Sequence, residues 1–357
     1  MSDLGRHVQQ VLDELVGDGA ERGLQVAVVH RGEFVVDAAA GVADPATGRP
    51  VRPDTPFFSF SAGKAMAVTV AHLLVADGLV GYDTRLAGPW PEFAAHGKAD
   101  ATLRHVLTHT VGLPALPPEI TAADLGDAVG VSATLAAAEP WWPPGTATGY
   151  HSYTFGFLVG ELARRLTGLP MSALLRDRVA TPLGLAGELY FGVPEPELPG
   201  LARLEDAEPP SADSPVPGIA SWQLRPAASF GNDPAVLTAD VPSVGTVTAR
   251  AIAGVYGALL DGRIVDADVL GAMSTPAFEG TDRLFGTPAR LALGFPLGRI
   301  GAGPDEPPTA FGWPGGGGSY AYADPRTGTA FALTKNRLAP SFATAQRLAD
   351  LVTAALA

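Results

Sequence analysis

The 357-residue chain contains no cysteine. Disulfides, thiol nucleophiles and thiolate-bound metals are therefore excluded, and the redox compartment is left open. Positive charge is scarce as well: 24 Lys and Arg stand against 37 Asp and Glu, a net charge of −13. Such a chain suits neither nucleic acid nor an anionic membrane, because phosphate binding needs clustered basic side chains. No apolar stretch reaches membrane-spanning length, and the opening "MSDLGRHVQQVLDELVGDGAERG" lacks the basic start and apolar run of a secretory leader. A cytoplasmic protein is expected. Three catalytic signatures are missing too. There is no G-x-S-x-G elbow. "HVLTH" at 105–109 lacks the glutamate of H-E-x-x-H, so no metal is expected. Gly63-Lys64 has Phe58 where a P-loop needs glycine, and no cofactor is implied.

What is present is enough apolar material for a large core. Hydrophobic residues make up 46% and charged residues 17%, sufficient for two packed domains or one with insertions. The N-terminus reads as an amphipathic helix carrying Val8, Leu12 and Val16 on one face. "GLQVAVVHRGEFVVDAAAGVAD" gives two strands around an Arg31-Gly32 turn. Apolar helices follow at 61–78, 154–168 and 243–260, the first two closed by glycine. "GSYAYADPRTGTAFALTK" predicts two more strands, ahead of a last helix at 340–356. Residues 205–241, rich in Pro and Ser, read as a long loop or lid. Strands at both ends with helices between them point to an α+β fold. Its antiparallel sheet is built from residues 1–80 and 243–357, and a mostly helical domain, 81–242, is inserted.

Three segments carry candidate chemistry. In "FFSFSAGKAMAVTVAHLL", Ser61 and Lys64 are three apart and share a helix face. A lysine whose ammonium is disfavoured by apolar surroundings can take a serine proton, and Ser61 at a helix start offers its own N–H to an oxyanion. The same pattern also describes an N-cap serine and a snorkelling lysine. In "GTATGYHSYTFGF", Tyr150 and Ser152 sit on a loop before a helix. Tyr150 is either a general base beside an ammonium or a half-buried aromatic with a partnered hydroxyl. In "FGWPGGGGSYAYADP", glycines ahead of a strand either bring backbone N–H groups to a ligand or simply loosen the strand entry.

Together and in this order, the three resemble the motifs of the serine β-lactamase and penicillin-binding-protein superfamily. Ser61-Ala62-Gly63-Lys64 matches S-x-x-K. Tyr150-His151-Ser152 stands for Y-x-N, and Trp313-Pro314-Gly315 for K-T-G or H-x-G. "LTHTVGL" at 107–113 and "TPLGL" at 181–185 fit as well, so the likeness runs over about 20–340. It is most similar to the class C β-lactamase-related esterases and transacylases, the family-VIII carboxylesterase group. The resemblance implies Ser61 as nucleophile, Lys64 and Tyr150 as proton handlers, and the backbone N–H groups of Ser61 and Gly316 as oxyanion hole. Ser152, His151, Trp313, Pro314 and Gly315 would border the substrate. Trp313 replaces a cation that would bind a carboxylate, which favours uncharged esters over β-lactams and peptide termini. The expected activity is a serine esterase, or a transacylase with an amine or alcohol acceptor. A D-amino-acid peptidase or weak β-lactamase is the alternative, and a non-catalytic ligand-binding protein is the alternative from another class.

Overall fold

The computed structural model describes residues 2–208, 218, 222–303 and 306–356. Helix α1, Asp3–Gly17, starts at Ser2, whose Oγ accepts the Gly5 N–H as an N-cap. Strands β1 (Gly23–His30) and β2 (Glu33–Asp44) form the hairpin expected around Arg31-Gly32, and β3 is the short Arg49–Pro50. From the far end of the chain come β4 (Phe311–Pro314), β5 (Tyr320–Asp324) and β6 (Thr329–Lys335). All six make one sheet in the order β4-β5-β6-β1-β2-β3. Strands β1 and β6 run antiparallel, with Val26 opposite Leu333 and Val28 opposite Phe331. The α+β class and the sheet shared by both chain ends are as the sequence indicated.

Both faces of this sheet are covered, which is why β1 reads as one apolar run rather than an alternation. One face, with Leu24, Val26, Val28, Phe331 and Leu333, packs on α1 and on the last helix, Ala343–Leu356. The other face carries Ala27, Ala321, Ala323, Ala330 and Ala332. Small side chains there let the helix Ala249–Leu260 come close: a Cβ on Gly257 would lie 2.7 Å from Val29. The same core continues without a break into the apolar helices Lys64–Ala76 (α2) and Thr154–Thr167 (α3). Helix α3 ends at Gly168 with φ of 77°, the left-handed cap anticipated there. Among the described residues no helix is long and apolar enough to cross a membrane.

Several boundaries differ from expectation, among them the last helix, which starts at Ala343 rather than 340. The helix assigned to 243–260 starts only at Ala249, capped by Thr248, whose Oγ1 accepts the Ala251 N–H at 3.0 Å. The preceding Thr246–Val247 is extended and pairs with Phe57–Phe58 and Leu189–Tyr190, as β-branched residues favour. The segment read as a loop at 205–241 also holds regular pieces. Glu205–Asp206 pairs in parallel with Arg337–Leu338, and Ala228–Gly231 and Pro234–Thr238 are helical turns. Residues 209–217 and 219–221 of that segment lie outside the described residues.

Candidate active site

Ser61 does not lie in α2 itself but in the 3₁₀ turn Phe60–Gly63 that leads into it. Phe60, just before the serine, has φ of +48°, a sparsely populated conformation for a bulky residue. The surroundings hold it there. Ser59 N–H donates to Gly245 O at 2.8 Å, and Gly245 N–H donates to Phe60 O at 3.2 Å. The serine turn thus pairs with the 243–245 segment, and backbone meets backbone so closely that a Cβ on Gly63 would lie 2.3 Å from Gly245 N. Glycine at the third place of S-A-G-K is therefore a steric requirement.

Lys64, in the first turn of α2, is fully buried. Its Nζ stands 3.0 Å from Ser61 Oγ and donates to Ser243 O at 2.8 Å. Among the described residues no carboxylate pairs with it, and burial holds its amine well below the usual lysine range. Tyr150 arrives from the loop before α3, its hydroxyl donating to Ser61 Oγ at 2.6 Å. Burial pushes this phenol up, against the pull of hydrogen bonding with Ser61 and Ser152. Both shifts run toward the uncharged forms, with burial the main cause of each. A phenolate held by an ammonium, the expectation for Tyr150, runs against the direction in which burial moves both groups.

Strand β4 and its glycine turn supply the opposite wall. A Cβ on Gly315 would lie 2.2 Å from Ser59 O, so this glycine too is demanded by close approach. Gly315 N–H donates to Ser319 O at 2.8 Å, whereas Gly316 N–H makes no hydrogen bond among the described residues. Trp313 is buried and its Nε1 donates to Gly294 O at 2.8 Å, which leaves only an apolar ring surface for the site. That ring lies 5.6 Å from Tyr150 and 5.9 Å from Lys64 Nζ.

A cavity of about 1070 Å³ opens over Ser61, Tyr150 and Ser152, with Trp313, Pro314, Gly315 and Gly316 also in its lining. Arg290 is the one arginine or lysine bordering it among the described residues, and it pairs with Glu279 at 2.7 Å. His151 is placed otherwise than expected. It is fully buried and outside this lining; Nε2 accepts the Leu113 N–H at 3.0 Å, and Nδ1 lies 2.6 Å from Gly149 O. With both nitrogens engaged and burial lowering its pKa to about 4, His151 is a neutral structural brace rather than a substrate contact. Next to it, His109 Nδ1 accepts the His151 N–H at 3.1 Å and so braces the same loop. His105 likewise caps a short helix, its Nδ1 accepting from Thr102 N–H.

Sequence reading missed Ser243. Its carbonyl holds Lys64, while its hydroxyl donates to Tyr153 O and accepts the Gly156 N–H at 2.7 Å, tying the lysine to the start of α3. No local pattern in "VPSVGT" marks it, since the functional atom is a backbone oxygen that every residue possesses.

The beta-lactamase family profile matches residues 8–355. The esterase/beta-lactamase LipL of Mycobacterium tuberculosis is 36% identical over 345 residues, spanning 88% of this chain and 77% of that protein. Among solved structures, a family VIII carboxylesterase superposes with a TM-score of 0.89 at 33% identity, covering 99% of this chain and 98% of the other. A penicillin-binding protein homologue from Caulobacter crescentus gives 0.88 at 32% identity, with the same coverage. The chain thus belongs to the beta-lactamase family, and it is a serine hydrolase or acyltransferase built on that fold.

Proposed function

We propose that this protein cleaves uncharged small-molecule esters through an acyl-enzyme on Ser61, with Lys64 and Tyr150 moving the protons. The observation that carries the reading is the convergence on one hydroxyl: Lys64 Nζ at 3.0 Å and Tyr150 hydroxyl at 2.6 Å from Ser61 Oγ. A neutral Lys64 accepts the Ser61 proton as Oγ bonds to the ester carbon. The oxyanion so formed lies against the N–H groups of Ser61 and Gly316. When the intermediate collapses, the C–O bond to the alcohol breaks and Tyr150 gives its proton to the departing oxygen. The acyl-enzyme then carries Lys64 as ammonium and Tyr150 as phenolate, groups whose Nζ and ring centroid stand 5.0 Å apart in the free protein. That phenolate takes a proton from water, the hydroxide attacks the acyl carbon, and Ser61 Oγ leaves with the proton returned by Lys64. An amine or alcohol in place of water gives transacylation by the same steps.

An ester is favoured over a β-lactam because nothing at the third motif can pair with a carboxylate. Trp313 offers a ring face alone, and Arg290 is engaged by Glu279. The name of the M. tuberculosis relative couples both activities, which keeps β-lactam cleavage as the second reading. Intact-mass labelling with a fluorophosphonate, and rates on p-nitrophenyl butyrate against nitrocefin, test both. The expected result is one adduct, lost in Ser61→Ala, and ester turnover well above nitrocefin turnover. No adduct on the folded wild type would overturn the catalytic reading; nitrocefin turnover equal to that of the ester would reverse the substrate order.

A further inference from the structure

The cavity wall beside Tyr150 is a β-hairpin. Phe278–Thr281 and Pro288–Leu291 pair antiparallel, with Phe278 opposite Leu291 and Thr281 opposite Pro288. Its tip is fastened to the tyrosine loop by one carboxylate. Asp282 Oδ2 accepts the Tyr150 N–H at 2.8 Å, while Oδ1 accepts those of Leu284 at 2.8 Å and Phe285 at 3.0 Å. A second tie to that loop runs from Arg283 N–H to Thr148 O at 2.9 Å. The tip therefore has a set position relative to the Tyr150 backbone, and on it sits Phe285. This ring is 48% exposed and borders the cavity, its centroid 6.3 Å from that of Tyr150. A lone exposed phenylalanine carries little meaning by itself. One held in the mouth of a cavity, next to the group that protonates a leaving oxygen, has a job for its apolar surface.

We propose that Phe285 is a specificity-determining residue: its ring receives the alcohol half of the ester and selects bulky apolar or aromatic alcohols over small ones. The assignment rests on the reading of Tyr150 given above. An alcohol oxygen that takes the Tyr150 proton must lie within hydrogen-bond reach of that hydroxyl, so its substituent extends along the Tyr150 side of the cavity. Phe285 is the apolar side chain of the anchored tip on that side. Phe60 and Pro226 lie elsewhere, against Gly316: a Cβ there would meet them at 3.5 and 2.9 Å. The two halves of an ester thus face different apolar surfaces.

The test uses the purified chain and two esters with one acyl group, methyl butyrate and benzyl butyrate. Because both give the same acyl-enzyme, the ratio of their kcat/KM values reports acylation and hence the leaving group. The benzyl-over-methyl ratio is expected to fall about tenfold in Phe285→Ala, to fall less in Phe285→Leu, and to persist in Phe285→Tyr. A companion pair with a fixed methoxy group, methyl acetate and methyl phenylacetate, is expected to keep its ratio in every variant. An unchanged benzyl-over-methyl ratio in a folded Phe285→Ala or Phe285→Leu protein overturns the assignment, as does a change confined to the companion pair. Ser61→Ala, run alongside, separates the two levels. If it still turns over both esters, the reading of the serine centre falls and the assignment with it. If it is inactive and the ratio does not move, only the role of Phe285 is refuted.

Discussion

Replacing Gly63 by alanine adds one methyl group at a buried point of the serine turn. That methyl would lie 2.3 Å from Gly245 N and 2.5 Å from Gly245 Cα, and the three nearest atoms all belong to backbone. Ordinary contact begins near 3.4 Å, so the two segments must separate by about an ångström. Overpacking of this kind costs about 1–3 kcal/mol. In a chain this long, that lowers the melting temperature by a few degrees. The catalytic cost is larger, because the segment being pushed also carries the Ser243 carbonyl that holds Lys64. An ångström of misplacement among reacting groups can cost about 100-fold in rate. Gly271 provides the control, since it lies in the helix Ala267–Ser274 with no atom within 4 Å of its would-be Cβ. There alanine is expected to stabilise by roughly 0.5–1 kcal/mol, through lost unfolded-state freedom. Thermal melts and kcat/KM on p-nitrophenyl butyrate read both variants. Wild-type rate and melting temperature in Gly63→Ala would refute the steric argument; a loss in both glycine variants alike would refute its localisation.

Three further expectations follow from charge and hydrogen bonding. Acylation needs an unprotonated Lys64, and burial lowers its pKa. The acid limb of kcat/KM should therefore fall well below the ordinary lysine value of 10.5, and a limb at 10.5 would contradict the role. Stability shows the same shift. The unfolded chain binds a proton at Lys64 that the folded chain gives up, so wild-type stability rises with pH up to the unfolded lysine pKa. Relative to Lys64→Met, which removes the titration, wild type should gain melting temperature from pH 7 to pH 9.5; a constant difference would sink this account. His151→Ala removes the acceptor of a buried Leu113 N–H and should cost roughly 1–3 kcal/mol in a urea melt. KM should stay near wild type for ester substrates, whereas a KM rise with an unchanged melt would restore His151 as a substrate contact.

Much of this molecule could be read from local pattern. The apolar run of β1, the Arg31-Gly32 turn and the Asp-Pro-Arg-Thr-Gly turn each state their structure within a dozen residues, and the sheet forms as they imply. Ser61 and Lys64 announce their proximity by helical spacing; Tyr150 came through resemblance, because 89 residues separate it from the serine it touches. What stayed hidden depends on direction or on backbone atoms. Trp313 borders the cavity while His151 lies behind it, and ring orientation sends the indole N–H to Gly294 O and both imidazole nitrogens to the main chain. Asp282 was invisible because its three partners are amides, which carry no side-chain signature.

Strand β1 sits between β2 and β6, hydrogen-bonded on one edge to its neighbour in sequence and on the other to residues about three hundred positions later. The glycine turn that faces Ser61 belongs to that same late stretch. During synthesis Ser61 therefore emerges early, while the second of its two proposed oxyanion donors, Gly316, is still untranslated, and the open edge of β1 waits for a partner the ribosome delivers last. Nascent chains halted near residue 300 should accordingly show no acylation by the fluorophosphonate and rapid cleavage in pulse proteolysis, which makes the final sixty residues the event that arms the enzyme.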